Sequence, residues 1–454
     1  MLNFVAFLAV SISPAQANQS LFTREVFPES PIEVKCWVVL QEPNIQTAFT
    51  LEEAIAFGVG HSPVLAAARA LVDAGRGRLL SARSREPLRL DPGVSIGGES
   101  AVPVVTQVIE ISGRIGARTA VAKHELQVAQ KLYDAAERDL TRDIEVTYAD
   151  LVAAQSALKV ATGITNVIGR LRDSVRRQVE VGEIPAQELV KADIELARAE
   201  LETVRSRNTV DRARQALNVT MGRAVELPVG ASEPTMFVTV IAERDELVAE
   251  ALRSRPEIGA AQTAVKAAEA NVALQRSDFR PDLELSLLQN TDVRSPGFFS
   301  VNATGLSLSL AFPISDTGRI RGRVREAESI VRVLEYVLLD TQLRVSQDVT
   351  DAFSRVRMTE ILVSQYLEAI LPGALDLLSK AQFGYARGAS TLLEFLEAQR
   401  TYRSTQLEYV VALADNAKAR ADLDRAVGRR LASTATKPAT TSFNHTTSAN
   451  GGHQ

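Results

Sequence analysis

A single cysteine, Cys36, stands among the 454 residues of this chain, so no disulfide can close within it. Aromatic residues make up only 5%, and the formal net charge of −4 gives no basic excess that would point to nucleic acid. The four histidines, His61, His124, His445 and His453, have no ligand-spaced partner, and no metal site is expected. Gly58-Val59-Gly60 lacks the rest of a nucleotide fingerprint and the strand that should precede it. With no nucleophile and base set together, the chain reads as a non-enzyme without a cofactor.

Two absences bear on architecture. No proline interrupts Arg114 to Val181, and after Gly116 only Gly163 and Gly169 occur there. Helical throughout, such a segment is about 100 Å long, too long for an ordinary globular domain. Beyond the first 17 residues no uninterrupted apolar run reaches about 18 residues, so no transmembrane helix is expected and any bilayer must be met by strands. The first 17 residues themselves, with an apolar run from Phe4 to Ile12 and Ala15-Gln16-Ala17, read as a secretory signal. Residues 18–49 form an extension without a sequence signature. Cys36 there lacks a lipoprotein context, and no lipid anchor is expected. From about residue 431 the composition cannot bury a core, and 431–454 reads as a loose tail.

What is present is a duplication. Gly113-Arg114-Ile115 returns as Gly318-Arg319-Ile320, Gly182 as Gly388, and Gly222-Arg223 as Gly428-Arg429, at a nearly constant offset of 205 to 206 residues. The period is far too long for a solenoid and signals an internally paired fold. The halves are residues 50–223 and 243–430, joined by a linker over 224–242. Each runs through a short amphipathic helix, a Pro63- or Pro256-led helix, a strand region, one very long helix and a returning helix. The fold class is mostly α with a small β part.

Gly182 before Pro185 predicts a hairpin tip, with Pro185 in the first turn of the returning helix. Leu189, Ala192, Leu196 and Ala199 then recur at spacings of three and four, as a packed seam requires. Gly388 marks the second tip, and Leu392, Leu396, Gln399 and Tyr402 share one face of the helix after it. Strands are predicted over residues 282–313, where Leu283, Leu285 and Leu287 and then Leu306, Leu308 and Leu310 alternate with polar or small residues around a loop from Asn290 to Ser300. The first copy, about residues 88–111, is less regular: Val94 and Ile96 alternate, and Pro92 and Pro103 interrupt. Two hairpins give four strands, too few to close a barrel with a lumen, and open edges in lipid leave backbone groups unsatisfied. The chain is therefore expected to pool its strands with other copies.

In this order and spacing, Ser62-Pro63-Val64-Leu65, Gly182-Glu183-Ile184-Pro185-Ala186-Gln187-Glu188-Leu189 and Gly384-Tyr385-Ala386-Arg387-Gly388-Ala389-Ser390-Thr391-Leu392 resemble the TolC-type outer-membrane efflux proteins. The resemblance spans about Thr50 to Arg429. It implies a homotrimer in which twelve strands share one outer-membrane β-barrel and twelve helices continue it as a periplasmic α-barrel. Partners are a periplasmic adaptor, an inner-membrane pump of the RND type and outer-membrane lipid. Val108 to Arg118, read with Pro313 to Arg319, looks most like the heavy-metal branch that serves cobalt-zinc-cadmium and copper or silver exporters, although Ser112 stands where a second glycine is usual.

The resemblance also assigns roles near the tips. Glu394 and Glu397 map to an acidic entrance ring, while Thr391-x-x-Glu394 equally fits a capping box. Glu188 and Tyr385 map to a gate, with Arg387 a substitute for the basic partner that Ser390 replaces. Gly182, Pro185, Gly388, Ser390 and Thr391 form the tips that meet the adaptor. Arg114, Arg118, Arg319, Arg321 and Arg323 cluster where strands hand over to helices, and read either as contacts to acidic headgroups or carboxylates, or as a solvated rim. Alternatives are a multidrug or type I secretion duct and, from a different class, a soluble periplasmic helical scaffold.

Overall fold

The computed structural model describes residues 48–91, 100–101, 104–233, 237–240, 242–292, 300–311, 317–431 and 433–435. The expected signal segment, most of the extension with Cys36, and Val94, Ile96, Pro92 and Pro103 lie outside them. In order the elements are β1 (Ala48–Phe49), α1 (Leu51–His61), α2 (Pro63–Arg83), β2 (Arg89–Asp91), β3 (Ser100–Ala101), β4 (Val104–Ile109), α3 (Arg114–Glu180) and α4 (Ala186–Met221). The second half follows with β5 (Gly230–Ala231), β6 (Val238–Val240), α5 (Arg244–Ser254), α6 (Pro256–Ser277), β7 (Asp282–Asp292) and β8 (Ser300–Ala311). It ends with α7 (Thr317–Gln365), a π-helical turn at Tyr366–Ile370, α8 (Leu371–Ala386), α9 (Leu392–Val427) and β9 (Ser433–Ala435).

The duplication is visible element by element. The returning helices α4 and α9 have 36 residues each, and both end on a glycine in the left-handed region, Gly222 at φ 77° and Gly428 at φ 88°. A side chain at Gly222 would also strike the His61 carbonyl, its Cβ 2.8 Å away. In the first half α3 runs unbroken for 67 residues. Its counterpart is interrupted by the π turn just before Pro372, whose ring and missing N–H disturb the preceding turn of the ladder. Tyr366 in that turn donates its hydroxyl to Glu408 of α9 at 3.1 Å.

Two of the long helices carry an 18-residue stretch apolar enough by composition to cross a bilayer, one in α3 and one in the helix from Gly318 to Tyr385. The measure is one of length and composition and tolerates charged residues within the stretch, whereas the expectation concerned uninterrupted apolar runs. Both helices, near 100 Å at 1.5 Å per residue, exceed a hydrocarbon core of about 30 Å more than threefold. Only 33% of the stretch in α3 and 11% of that in the second helix is buried, with Ile361, Leu362, Ile370, Leu375 and Leu377 exposed. Elsewhere the long helices supply core: Ile144, Tyr148, Leu151 and Val152 of α3 pack with Leu217 and Met221 of α4 and Phe49. Val345, Val349 and Val356 of α7 form the equivalent with Leu247 of α5 and Leu423 of α9. Gly58 of the dismissed glycine cluster serves this packing, since a Cβ there would sit 2.4 Å from Ile144.

Strands lie in both expected regions and pair antiparallel in the order β2, β4, β7, β8, with β3 prolonging β4 along the same flank of β7. β7 runs to Asp292, past the expected loop start, with an irregularity between Asn290 and Thr291. The register puts Ile109, Leu283 and Leu310 in one row, Gln107, Leu285 and Leu308 in the next, and Val105, Leu287 and Leu306 in the third. That face is apolar and open, with Leu306 73% and Leu308 65% exposed, while Thr106, Ser286 and Ser307 share the opposite face.

The residues read as linker and tail are ordered where they are described. β5 pairs with β1 in parallel and β6 with β9 in antiparallel fashion. The Leu431 N–H donates to Asp424 at 3.0 Å and its carbonyl accepts from Arg420 at 3.4 Å, which fixes the chain past the expected end of structure. Burial raises the Asp424 carboxyl to about 6, with Glu145 adding to the rise and the Leu431 N–H, Arg420 and Arg430 opposing it. A carboxyl raised in the folded state takes up its proton there before the unfolded chain does, so its contribution is greatest below pH about 4 and is lost as pH rises through about 6. Asp424→Asn keeps the acceptor for Leu431; thermal midpoints measured from pH 4 to 7 should fall less steeply in this variant than in the parent.

Candidate functional site

The two tips are built alike. α3 ends at Glu180, Gly182 turns the chain at φ 80°, and Pro185 is the extended cap before α4. Pro185 thus lies one position earlier than the first-turn place expected of it. Gly388 turns the second tip at φ 72°, and Thr391 caps α9. Ser390 folds back on Gly384, where a Cβ would come within 2.3 Å of its Oγ. Gly384 therefore has no room for a side chain beside Ser390.

The expected seam is present and joins the two hairpins. Ala192 of α4, Val175 of α3, and Leu392 and Leu396 of α9 form one buried cluster, with Leu189, Ile184 and Tyr385 against it. Ala199 packs with Ile164 and Ile168, and Gln399 is buried on α9.

The residues assigned to a gate are brought near one another but not bonded as expected. The Tyr385 hydroxyl donates to Gln178 of α3 at 3.4 Å, and its ring stacks on Phe395 with centroids 5.8 Å apart. Glu188 pairs with Lys191 at 2.7 Å. Burial pushes the Tyr385 hydroxyl up, and the charge of Glu188 adds to it. The Arg387 guanidinium lies over its own chain's Phe383 ring, 3.9 Å from the centroid. Glu394 completes the capping box: its carboxylate accepts from Thr391 N–H at 2.9 Å, and its own N–H donates to Thr391 Oγ1 at 3.2 Å. Glu397 is exposed one turn further on.

The sequence reading missed Glu195. It is buried between Arg198 at 2.9 Å and Arg400, the latter from the other half of the chain. Desolvation alone would raise this carboxyl; the hydrogen bonds and charges of Arg400 and Arg198 outweigh it and hold it below its ordinary value. The signal was a carboxylate on the seam itself, between Ala192 and Ala199. Further along, Arg142 binds Asp422 at 2.6 Å, Arg425 binds Asp139, Arg430 binds Glu145 at 2.8 Å and Lys418 binds Asp150 at 3.0 Å. These pairs rivet α3 to the second half. A cleft of about 440 Å³ beside them holds Asp139, Asp143, Asp348, Asp351 and Asp422 with three arginines. Among the described residues no group of acidic, histidine or cysteine side chains is arranged to hold a metal ion. Removing the inter-half partner of a buried carboxylate should be felt: Arg400→Ala is expected to lower stability by about 1–3 kcal/mol, read as a drop in thermal midpoint, while Glu397→Ala changes it little.

Comparison with known proteins gives the context. The cobalt-zinc-cadmium resistance protein CzcC of Cupriavidus metallidurans is 25% identical over 430 residues, covering 94% of this chain and 97% of that protein. Among solved structures, the outer membrane protein VceC of Vibrio cholerae aligns with a TM-score of 0.68 at 19% identity over 84% of this chain and 96% of that one. CusC aligns with a TM-score of 0.70 at 16% identity, over 84% and 92% respectively. Long paired helices topped by a four-stranded sheet are thus a shared fold. Residues 59–223 and 247–429 match the outer membrane efflux protein family, one match to each half; the chain belongs to that family, an outer-membrane efflux channel protein of a Gram-negative bacterium with its helices on the periplasmic side.

Proposed function

We propose that three copies of this chain close into one passive exit duct, and that the duct receives metal cations from an RND-type pump through a periplasmic adaptor. The observation that carries this reading is the sheet: one face of leucines, one of small polar residues, and two open edges at β2 and β8. Three such sheets give twelve strands, enough to enclose a lumen. The helices support the same closure. α4 packs on α3, α3 on α9 and α9 on α8, and the ends of that row carry uncovered apolar side chains: Val190, Ile194, Leu201 and Val204 on α4, Leu375 and Phe383 on α8. Neighbouring copies would cover both.

Residues 50–223 and 243–430 are then the two hairpin units, and the tips at Gly182 to Pro185 and Gly388 to Thr391 are where an adaptor docks. Glu397 is free of any capping duty and, with Glu394, supplies negative charge near the entrance; six carboxylates in a trimer favour cations over anions. Tyr385, Glu188 and Arg387 are the gate residues, with Gln178 holding the tyrosine in the state described. The pump provides the energy, and adaptor binding rearranges the tips. Metal cations are the proposed cargo because of the likeness to CzcC along nearly the full length of both chains.

Reconstituted in a planar bilayer, the chain should give cation-selective steps, and Glu394→Ala with Glu397→Ala should lower the cation-to-anion permeability ratio about twofold or more. An unchanged ratio would remove the acidic ring; no steps at all would remove the duct.

A further inference from the structure

The start of α7 is unusual in charge. Thr317 to Arg325 holds four arginines, Arg319, Arg321, Arg323 and Arg325, and no acidic residue, in a chain whose formal net charge is −4. Cations at a helix N-terminus oppose the helix dipole, so the helix itself gives no reason for them.

These arginines fall on two flanks. Arg323 binds Asp278 at 3.4 Å, the carboxylate that also receives Arg114 of α3 at 2.7 Å, and Arg114 reaches Asp282 of β7 at 3.4 Å. Asp282 has the strand parity of Glu284 and Ser286, on the sheet face opposite the leucines. That network therefore belongs to the polar side. At about 100° per residue, Arg321 and Arg325 each lie about 200° around α7 from Arg323, on the side of Leu306, Leu308 and Leu310. Both are exposed, and neither guanidinium has a bonding partner among the described residues, the Arg325 carbonyl alone accepting from Ser329 at 2.9 Å. The Arg276–Glu328 pair, at 2.7 Å, shares this flank and is neutral as a unit. Helix-to-strand junctions crowd the same end of the sheet: α2 ends at Arg83, α6 at Ser277, β4 at Ile109 and β8 at Ala311. Exposed Leu88 and Phe279 stand at two of them.

We infer that Arg321 and Arg325 form an anionic-phospholipid contact at the periplasmic leaflet, gripping headgroup phosphates directly below the apolar belt. The proposal rests on the outer-membrane reading and adds a lipid class and a leaflet to it. Arg114, Arg118 and Arg323 are not part of it. Arg118 is spent on Glu110 at 3.3 Å and on the Ala82 and Ser84 carbonyls, as Arg114 and Arg323 are on acids. An arginine close to an anionic surface gives about a fivefold preference, and its bidentate fork suits phosphate.

The test compares the full chain reconstituted in vesicles of phosphatidylcholine alone and of phosphatidylcholine with phosphatidylglycerol, counting retained lipids by native mass spectrometry after detergent extraction. Phosphatidylglycerol should be retained over phosphatidylcholine. Arg321→Gln with Arg325→Gln should cut that preference roughly 25-fold while circular dichroism and oligomeric state stay unchanged. Arg205→Gln with Arg207→Gln, the same charge loss far away on α4, should leave it intact. Equal retention of both lipids, an equal drop in the two double variants, or full displacement by millimolar inorganic phosphate overturns the contact while leaving the duct standing. A chain that inserts into neither vesicle overturns the membrane reading and this contact with it.

Discussion

Unpaired backbone groups at the edges of a sheet are what everything else in this molecule answers to. In water β2 and β8 could stay open; in hydrocarbon each exposed N–H and C=O costs several kcal/mol and only another strand relieves it. A chain with four strands cannot satisfy itself, and its apolar face rules out staying in solution. The leucine rows, the short connections at one end and the helices continuing from every strand are consistent with a single demand, that copies assemble before the structure is complete.

Within one chain the fastening is of another kind. The two halves are joined by charged pairs between α3 and α9 on a half-buried seam, by the Glu195 cluster, by the Tyr385–Gln178 hydrogen bond and by the buried cluster of Val175, Ala192, Leu392 and Leu396. The outer flanks of α4 and α8 instead present apolar side chains. Ion pairs fix register and orientation, whereas apolar stripes tolerate sliding. The halves of a chain are thus held in one relation to each other.

Much of this was legible in the residues. The repeat set the element order, the leucine alternation marked the apolar face of β7 and β8, and Gly182, Gly222, Gly388 and Gly428 marked the turns, each at positive φ. Three things were not legible, for physical reasons. Leu431 is ordered by an aspartate one helical turn before the helix end, a tertiary contact that composition does not encode. Glu195 looked like any surface carboxylate until Arg400, 205 residues away, was placed beside it. The apolar stretch around Pro372 was too interrupted to read as a membrane-length run, yet the π turn keeps it one helix. At the tips the acceptor of Tyr385 was not legible either, because Gln178 comes from α3, 207 residues away.

The π turn has a consequence for symmetry. A duplicated chain could in principle build a ring of six equal posts. Here one post of each pair is an unbroken 67-residue helix and the other holds an extra residue in its winding at Tyr366–Ile370, which rotates everything beyond it relative to everything before. Any ring assembled from this chain is threefold rather than sixfold, with stiff and jointed posts alternating.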